Sequence, residues 1–275
     1  MAHRAGLIRA RGNHVDQQRH IEVGLAPDKR RRKHRARSQS VSAVPAPSKT
    51  VVSTGVQSFA LSFIAAFVDT CGFVGLFGLF TAHVTGNFVL IGAQLIHHEG
   101  DVLGKLLSLP VFMLAVTCAV LLAHRLKQRS GNVLATLLAV QAAWLGLTVL
   151  ASYLLPPPAS GGDTSAILIG MAAVFAMGVQ NATMRIALPA LPPTTVMTGN
   201  VTQVVIDAVG LLAGEGDEEA RKGMRARLHK MWPGIAAFFL GAAGGALGYL
   251  FFGFRSLALP AIVCLALAMT SGTRD

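Results

Sequence analysis

The sequence predicts an all-α polytopic membrane helix bundle, built as two inverted repeats of three spans, each half carrying a short Thr-Gly-Asn segment. Three observations carry that prediction. Six stretches are apolar and long enough to cross hydrocarbon. Thr-Gly-Asn occurs at Thr85-Gly86-Asn87 and again at Thr198-Gly199-Asn200. And only one of the two available topologies gathers the basic residues on one side.

Composition separates a body from a tail. Hydrophobic residues make up 52% of the 275, charged residues only 13%, and mean hydropathy is +0.54. A soluble domain normally charges about a quarter of its residues to cover its surface. Of the 24 Lys and Arg, 12 fall in residues 1–50, against the acids Asp16, Glu22 and Asp28. The tail contains Lys29-Arg30-Arg31-Arg32-Lys33 and no apolar periodicity, so residues 1–50 are expected to form a basic, disordered cytoplasmic segment. It holds no apolar stretch of signal-peptide length. Such a run could dock on anionic lipid headgroups or nucleic acid, but a solvated tail that holds the first span's N-terminus inside is the plainer reading, and nucleic acid is not expected as a partner.

Crossing about 30 Å of hydrocarbon takes roughly 20 mostly apolar residues. Windows of that kind lie at 56–80, 107–124, 133–155, 164–187, 233–252 and 256–271, the last after the turn Gly253-Phe254-Arg255. Two shorter or more polar segments, 82–97 and 194–213, contain the tripeptides. A shift of 113 residues superposes Thr-Gly-Asn on itself and Gln94 on Asp207; one inserted residue upstream sets Asp69 opposite Asn181. Pro110 and Pro233 are each expected to open the following span. The body thus divides into a first membrane repeat, 51–155, and a second, 156–275.

Charge then chooses the topology. If both tripeptide segments cross, the basic residues divide almost evenly between the two sides. If both dip in and return, Arg125, Lys127, Arg129, Arg185, Arg221, Lys222, Arg225, Arg227, Lys230 and Arg274 are cytoplasmic, and only Lys105 and Arg255 lie outside. The second arrangement satisfies the positive-inside rule. It places the N-terminus, 125–132 and 214–231 inside, and 98–106 and 156–163 outside. Three spans per half make the halves inverted.

The run Asp69-Thr70-Cys71-Gly72 leading to Thr85-Gly86-Asn87, with Gly178-Val179-Gln180-Asn181 leading to Thr194-Thr195-Val196-Met197-Thr198-Gly199-Asn200, resembles the YoaK-like family of bacterial inner-membrane proteins. The likeness covers roughly residues 55–271. It implies a multi-pass protein of the bacterial inner membrane and, because the family is a domain of unknown function, names no substrate.

The candidate functional residues are polar groups stranded in apolar surroundings. Asp69 lies within a long span, where a carboxylate is costly unless it faces a cavity, pairs or is protonated. It is the first candidate for ion or proton coupling, and Asp207 the second; Asp207 lies nearer the end of its segment, where an interfacial role is the plainer reading. Thr85, Asn87, Thr198 and Asn200 interrupt apolar runs beside a helix-weak glycine, and paired interruptions point to a transporter's binding site. Tight helix packing is the alternative. Gln180 and Asn181 complete the substrate-binding candidates, although buried amides usually satisfy neighbours.

Other polar groups read more plainly. His83 is expected to be a satisfied or interfacial histidine. His97 and His98, beside Glu99 and Asp101, read as a solvated loop rather than a metal patch. Cys71, Cys118 and Cys264 lie in apolar runs without metal-ligand spacing and read as small hydrophobes. Gly241, Gly244, Gly245 and Gly248 form small-residue patterns suited to close helix contact, within the bundle or in a homodimer through Gly241, Gly245 and Gly248.

No metalloprotease, nucleophile-elbow, phosphate-loop or dinucleotide fingerprint occurs in a suitable context, so no enzyme, cofactor or metal is expected. The expected function is a permease-like secondary transporter or facilitator of an unknown small solute in the lipid bilayer. The alternative is a non-transporting scaffold or sensor with a lipid- or partner-binding tail.

Overall fold

The computed structural model describes residues 53–97 and 101–271. The expected tail, His98, Glu99 and Arg274 lie outside the described residues. The chain divides into two units, 1–48 and 49–275, and the described helices all belong to the second.

All regular structure among the described residues is helical. α1 is Thr54–Gly75, α2 Gly86–His97, α3 Leu103–Gln128, α4 Val133–Leu154, α5 Thr164–Ile186, α6 Met197–Leu212, α7 Glu218–Phe252 and α8 Ala258–Ser271. A 3-10 turn, Gly253–Leu257, joins α7 to α8. Five helical stretches are long and apolar enough to span a membrane: α1, α3, α4, α5, and the stretch Glu218–Ser271 that contains both α7 and α8. Gly253 divides that last stretch, its φ of 59° lying in the left-handed region that glycine enters without steric cost. α2, α6 and, taken alone, the 14-residue α8 fall short of that length, so five stretches, the last broken at Gly253, stand where the sequence predicts six spans.

Outward faces carry Met113, Leu121, Leu147, Phe239, Leu250 and Phe251, all more than a third exposed. A continuous apolar exterior of this kind is stable only against lipid. The chain is an integral membrane protein.

Local capping obeys ordinary rules. Ser53, Asn132 and Asp217 each accept a backbone N–H from the first turn of the next helix. Asp163 instead accepts from Ala159 and Ser160 N–H and the Ser160 hydroxyl, which together hold its carboxyl below the ordinary aspartate range. The prolines depart from expectation. Pro110 and Pro233 lie inside α3 and α7 rather than opening them, because helical turns at Leu103 and Glu218 precede the apolar runs. The expected polar loop 214–231 is therefore mostly the first turns of α7.

Contacts fix the relative directions of several helices. α1 ends in a reversal through Phe77 and Gly78, at φ 54° and 80°. Lys105, near the start of α3, donates to Phe77 O at 2.9 Å, so α3 begins at the end of the bundle where α1 finishes. Gly170 near the start of α5 packs on Leu76 and Leu79, while Gln180 near its end bonds Leu61 O, so α5 runs opposite to α1. Gly234 lies beside Ser58 and Ser62, and Tyr249 packs over Gly75, so α7 runs with α1. Asn132 bonds Ser271 O and Cys264 bonds Leu138 O, so α4 and α8 are antiparallel.

The packing pairs map onto one another when α1–α4 are exchanged for α5–α8. α1 packs on α7 as α5 packs on α3. α2 packs on α3 as α6 does on α7, α1 packs on α8 as α5 does on α4, and α4 meets α8. Small residues permit the closest of these approaches. A Cβ at Gly241 would sit 3.0 Å from Phe63 Cα and closer still to the Phe63 carbonyl oxygen, and one at Gly245 would meet Phe67 in the same way. Gly248 faces the Phe67 ring and Ser256. The glycines considered for a homodimer contact are thus occupied within the bundle.

Gly241→Val or Gly245→Val is expected to push α7 off α1, with an overpacking cost of about 1–3 kcal/mol. Gly92 meets nothing within 4 Å, so Gly92→Ala is expected to leave stability unchanged or raise it. Thermal unfolding in detergent, followed by size-exclusion fluorescence, checks both expectations.

Candidate functional site

Inside a bilayer, backbone outside a helix must find its hydrogen bonds within the protein. Residues 76–85 link α1 to α2 outside any long helix, and Asp69 binds two of their backbone N–H groups. Its Oδ1 accepts from Thr81 N and Ala82 N, both at 2.7 Å, and from the Thr81 hydroxyl at 3.3 Å. Its Oδ2 faces His83 Nδ1 at 2.5 Å. Asp69 is 5% exposed, and three donors together with the His83 ring nitrogen surround its carboxyl group.

The second half repeats the pattern with neutral groups. Asn181 Oδ1 accepts from the Thr195 hydroxyl at 2.7 Å, and the Gln180 amide donates to the Thr194 hydroxyl at 3.0 Å. In each half a side chain late in the long helix thus grips the non-helical stretch that precedes the short helix.

The tripeptides sit at the starts of α2 and α6, and their asparagines do matching work. Asn87 Nδ2 donates to Phe80 O, and Asn200 Nδ2 donates to Pro193 O, each seven residues back. Asn87 Oδ1 also accepts from Phe80 N at 2.9 Å. Pro193 has no N–H, so the second loop lacks that return bond. Asn87 further donates to the Ser108 hydroxyl on α3, and it is wholly buried.

A cavity of about 730 Å³ lies between the two systems. Asp69, His83 and Thr85 reach it from the first half, and Asn181, Thr195 and Thr198 from the second. Phe80, Phe112 and Phe238 supply apolar wall. A smaller cavity of about 270 Å³ shares Asn181, Thr195 and Val196 with it and continues to Arg185 at the end of α5.

The expected site residues therefore divide. Asp69, Thr85, Asn181 and Thr198 share the larger cavity, whereas Asn87, Gln180, Asn200 and Asp207 do not line it. Gln180 is buried and donates to Leu61 O and Thr194 while accepting from Gln141 on α4. Asp207 is 1% exposed and takes a two-pronged grip from Arg227 at 2.9 and 2.7 Å, with Gln203 adding a third donor. That pair ties α6 to α7. Asp101 bonds Gly162 N at 2.8 Å and joins two loops at the other end. Among the described residues no group of three His, Cys, Asp or Glu is placed to hold a metal.

Sequence reasoning gave too little weight to His83, Thr195, Gln141 and Phe238. His83 and Thr195 carried a usable signal, since both lie just upstream of a tripeptide. Phe238 carried none, because an aromatic in an apolar span is indistinguishable from lipid-facing bulk.

A bundle of apolar helices with an open, largely apolar cavity that a few polar groups reach defines the class: a helical integral membrane protein. The chain belongs to the family described as a protein of unknown function, DUF1275, whose model matches residues 57–270. That family is consistent with the YoaK-like resemblance of the motifs. No curated protein and no solved structure matches the chain.

Because Asn87 holds a reversal together with three hydrogen bonds, Asn87→Ala is expected to lower thermal stability by about 2 kcal/mol or more, the unpaired Phe80 N–H being the main cost. Asn200→Ala removes fewer bonds and is expected to cost less. Parallel melting curves of the two variants check the order.

Proposed function

We propose that this protein is a permease-like secondary transporter or facilitator of a small solute, working as two inverted repeats in a bacterial inner membrane. The observation that carries the reading is the cavity of about 730 Å³ whose polar wall comes from equivalent positions of both halves. Inverted repeats that meet at a midplane site alternate access by rocking one half against the other. Opposed directions of α1 and α5 support the inversion, as does the exchange of packing partners between halves.

In this reading Thr85, Thr198, Asn181 and Thr195 bind the solute, and the Asp69–His83 couple links its passage to a proton. Asn87, Asn200 and Gln180 position the loops that carry those groups. Arg125, Lys127, Arg129, Arg185 and the bases at the start of α7 face the cytoplasm, as the positive-inside rule requires. A homodimer would have to use a face other than Gly241, Gly245 and Gly248.

One observation favours the alternative of a scaffold or sensor. Several intramembrane amides, Asn87 and Gln180 above all, are fully engaged in helix and loop contacts.

Single cysteines at Thr85 and Thr198, in a protein lacking Cys71, Cys118 and Cys264, separate the readings. Alternating access predicts that each position reacts with a membrane-impermeant maleimide added to either face of oriented vesicles. Reaction from one face only, or from neither, contradicts transport and favours the scaffold. Asp69→Asn is expected to abolish the pH dependence of that reactivity while the protein remains folded.

A further inference from the structure

The loops before α2 and α6 are equivalent, yet the second lacks an acceptor that the first has. In the first half, Asp69 Oδ1 takes the adjacent N–H groups of Thr81 and Ala82, both at 2.7 Å. The register of the two tripeptides puts Thr194 and Thr195 in those places, and Asn181 in the place of Asp69. The bonds from Asn87 to Phe80 O and from Asn200 to Pro193 O obey the same register. Asn181, however, uses its Oδ1 to accept the Thr195 hydroxyl, and Thr194 meets Gln180 through its own hydroxyl. Among the described residues nothing accepts the N–H of Thr194 or of Thr195. The two residues are 1% and 5% exposed. Buried N–H groups almost always have a partner, so an orphaned pair calls for one that the chain does not supply.

Both threonines line the cavity of about 270 Å³ at the end of α5, together with Asn181, Val196 and Arg185. Arg185 is the one charged residue on that wall. Ion pairs among the described residues join His83 to Asp69, Arg227 to Asp207, and Arg221 and Arg225 to Glu218, so no acid among them neutralises Arg185. A base in the last turn of a helix is commonplace. One that lines a cavity beside two unmet N–H groups is not. A guanidinium and two N–H groups are donors without acceptors, which is the complement of an oxyanion. Pro189 and Pro193 fix φ in the surrounding loop, so forming the site costs little further order. The volume lies just under the ~300–1,000 Å³ of ordinary ligand pockets, which suits a small molecule.

We propose that this smaller cavity binds the carboxylate of a small organic anion, with Arg185 supplying the opposite charge and the N–H groups of Thr194 and Thr195 the hydrogen bonds. The ligand's carboxylate does in the second half what the Asp69 carboxylate does in the first. Asn181, Thr195 and Val196 belong to both cavities, so the bound acid lies next to the larger one. Small carboxylates are thereby the solute class of the transport reading, on which this inference rests for its purpose but not for its binding geometry. A lipid phosphate would satisfy the same donors, and the experiment separates the two sources.

Thermal unfolding of the full chain in nanodiscs provides the test, with acetate, propionate and benzoate as probes, each against its own amide. A ligand that binds only the folded state raises the melting temperature with concentration. In phosphatidylcholine nanodiscs at least one carboxylate is expected to do so, and no amide. Arg185→Gln is expected to weaken the apparent affinity about tenfold or more. Arg125 lines neither cavity, and Arg125→Gln is expected to leave the affinity unchanged. Asn181→Asp sets a fixed carboxylate in the wall and is expected to abolish the response, which decides the matter should Arg185→Gln fail to fold. No rise with any carboxylate would leave the N–H pair to water and overturn the inference. An equal rise with the amides, or one that survives Arg185→Gln or Asn181→Asp, would also overturn it. In phosphatidylglycerol nanodiscs without probe, a higher melting temperature that disappears in Arg185→Gln would assign the site to a lipid phosphate and overturn the solute. Carboxylate binding without uptake of that acid into proteoliposomes would overturn transport and leave this inference standing; uptake unaffected by Arg185→Gln would do the reverse.

Discussion

Two stretches of backbone, 76–85 and 187–196, are non-helical within a bundle of apolar helices, and the structure depends on how their N–H and C=O groups are satisfied. Water does that work in a soluble loop; in hydrocarbon each unmet group costs several kcal/mol. The bonds from Thr81 N and Ala82 N to Asp69 Oδ1 are the shortest part of the answer, since one carboxyl oxygen accepts from two adjacent N–H groups at 2.7 Å. Asn87 closes the same loop across Phe80, and Lys105 satisfies Phe77 O where the loop begins. A carboxylate buried for this purpose is at once structural and exposed to function, since its second oxygen is free to hold His83 at the cavity.

The second half solves the same problem with weaker, neutral groups. Asn181 and Gln180 grip Thr195 and Thr194 through hydroxyls rather than backbone N–H, and Pro193 removes one donor from the loop that Asn200 closes. The loop before α6 is therefore held by fewer and weaker bonds than the loop before α2. Differences in local hydrogen bonding of this kind decide which segment opens first. Around both, the close α1–α7 and α3–α5 contacts, set by Gly241, Gly245 and Gly178, keep the helical frame stiff.

Much of the frame is legible in the amino-acid sequence. The apolar windows at 133–155, 164–187 and 256–271 fall within two residues of α4, α5 and α8, because hydrocarbon thickness fixes how many apolar residues a span needs. Windows 107–124 and 233–252 identify the right helices but miss their starts. Hydropathy sees where a helix enters lipid, not where its polar first turns begin, and Pro110 and Pro233 reinforced the error. The site was legible only in part. Asp69 and the tripeptides stood out because polar groups are conspicuous in apolar sequence. Which side of each group faces the cavity was not readable: Thr85 and Asn87 are two residues apart, yet one lines the chamber and the other is wholly buried against Phe80 and Ser108. His83 looked ordinary because the residues that share its cavity from the second half, Asn181, Thr195 and Thr198, are about a hundred residues away.

The central claim is that two oppositely directed halves, each with a segment that enters and returns, face one another across a shared cavity. Single cysteines placed at Asp101, Ser130, Ser160 and Glu215, labelled with a membrane-impermeant reagent in intact and inverted vesicles, test it most directly. The account predicts that positions 130 and 215 react only from the cytoplasmic face, and positions 101 and 160 only from the opposite one. Finding 101 and 215 on the same face would mean that the short helices cross the membrane, and the inverted architecture would be wrong.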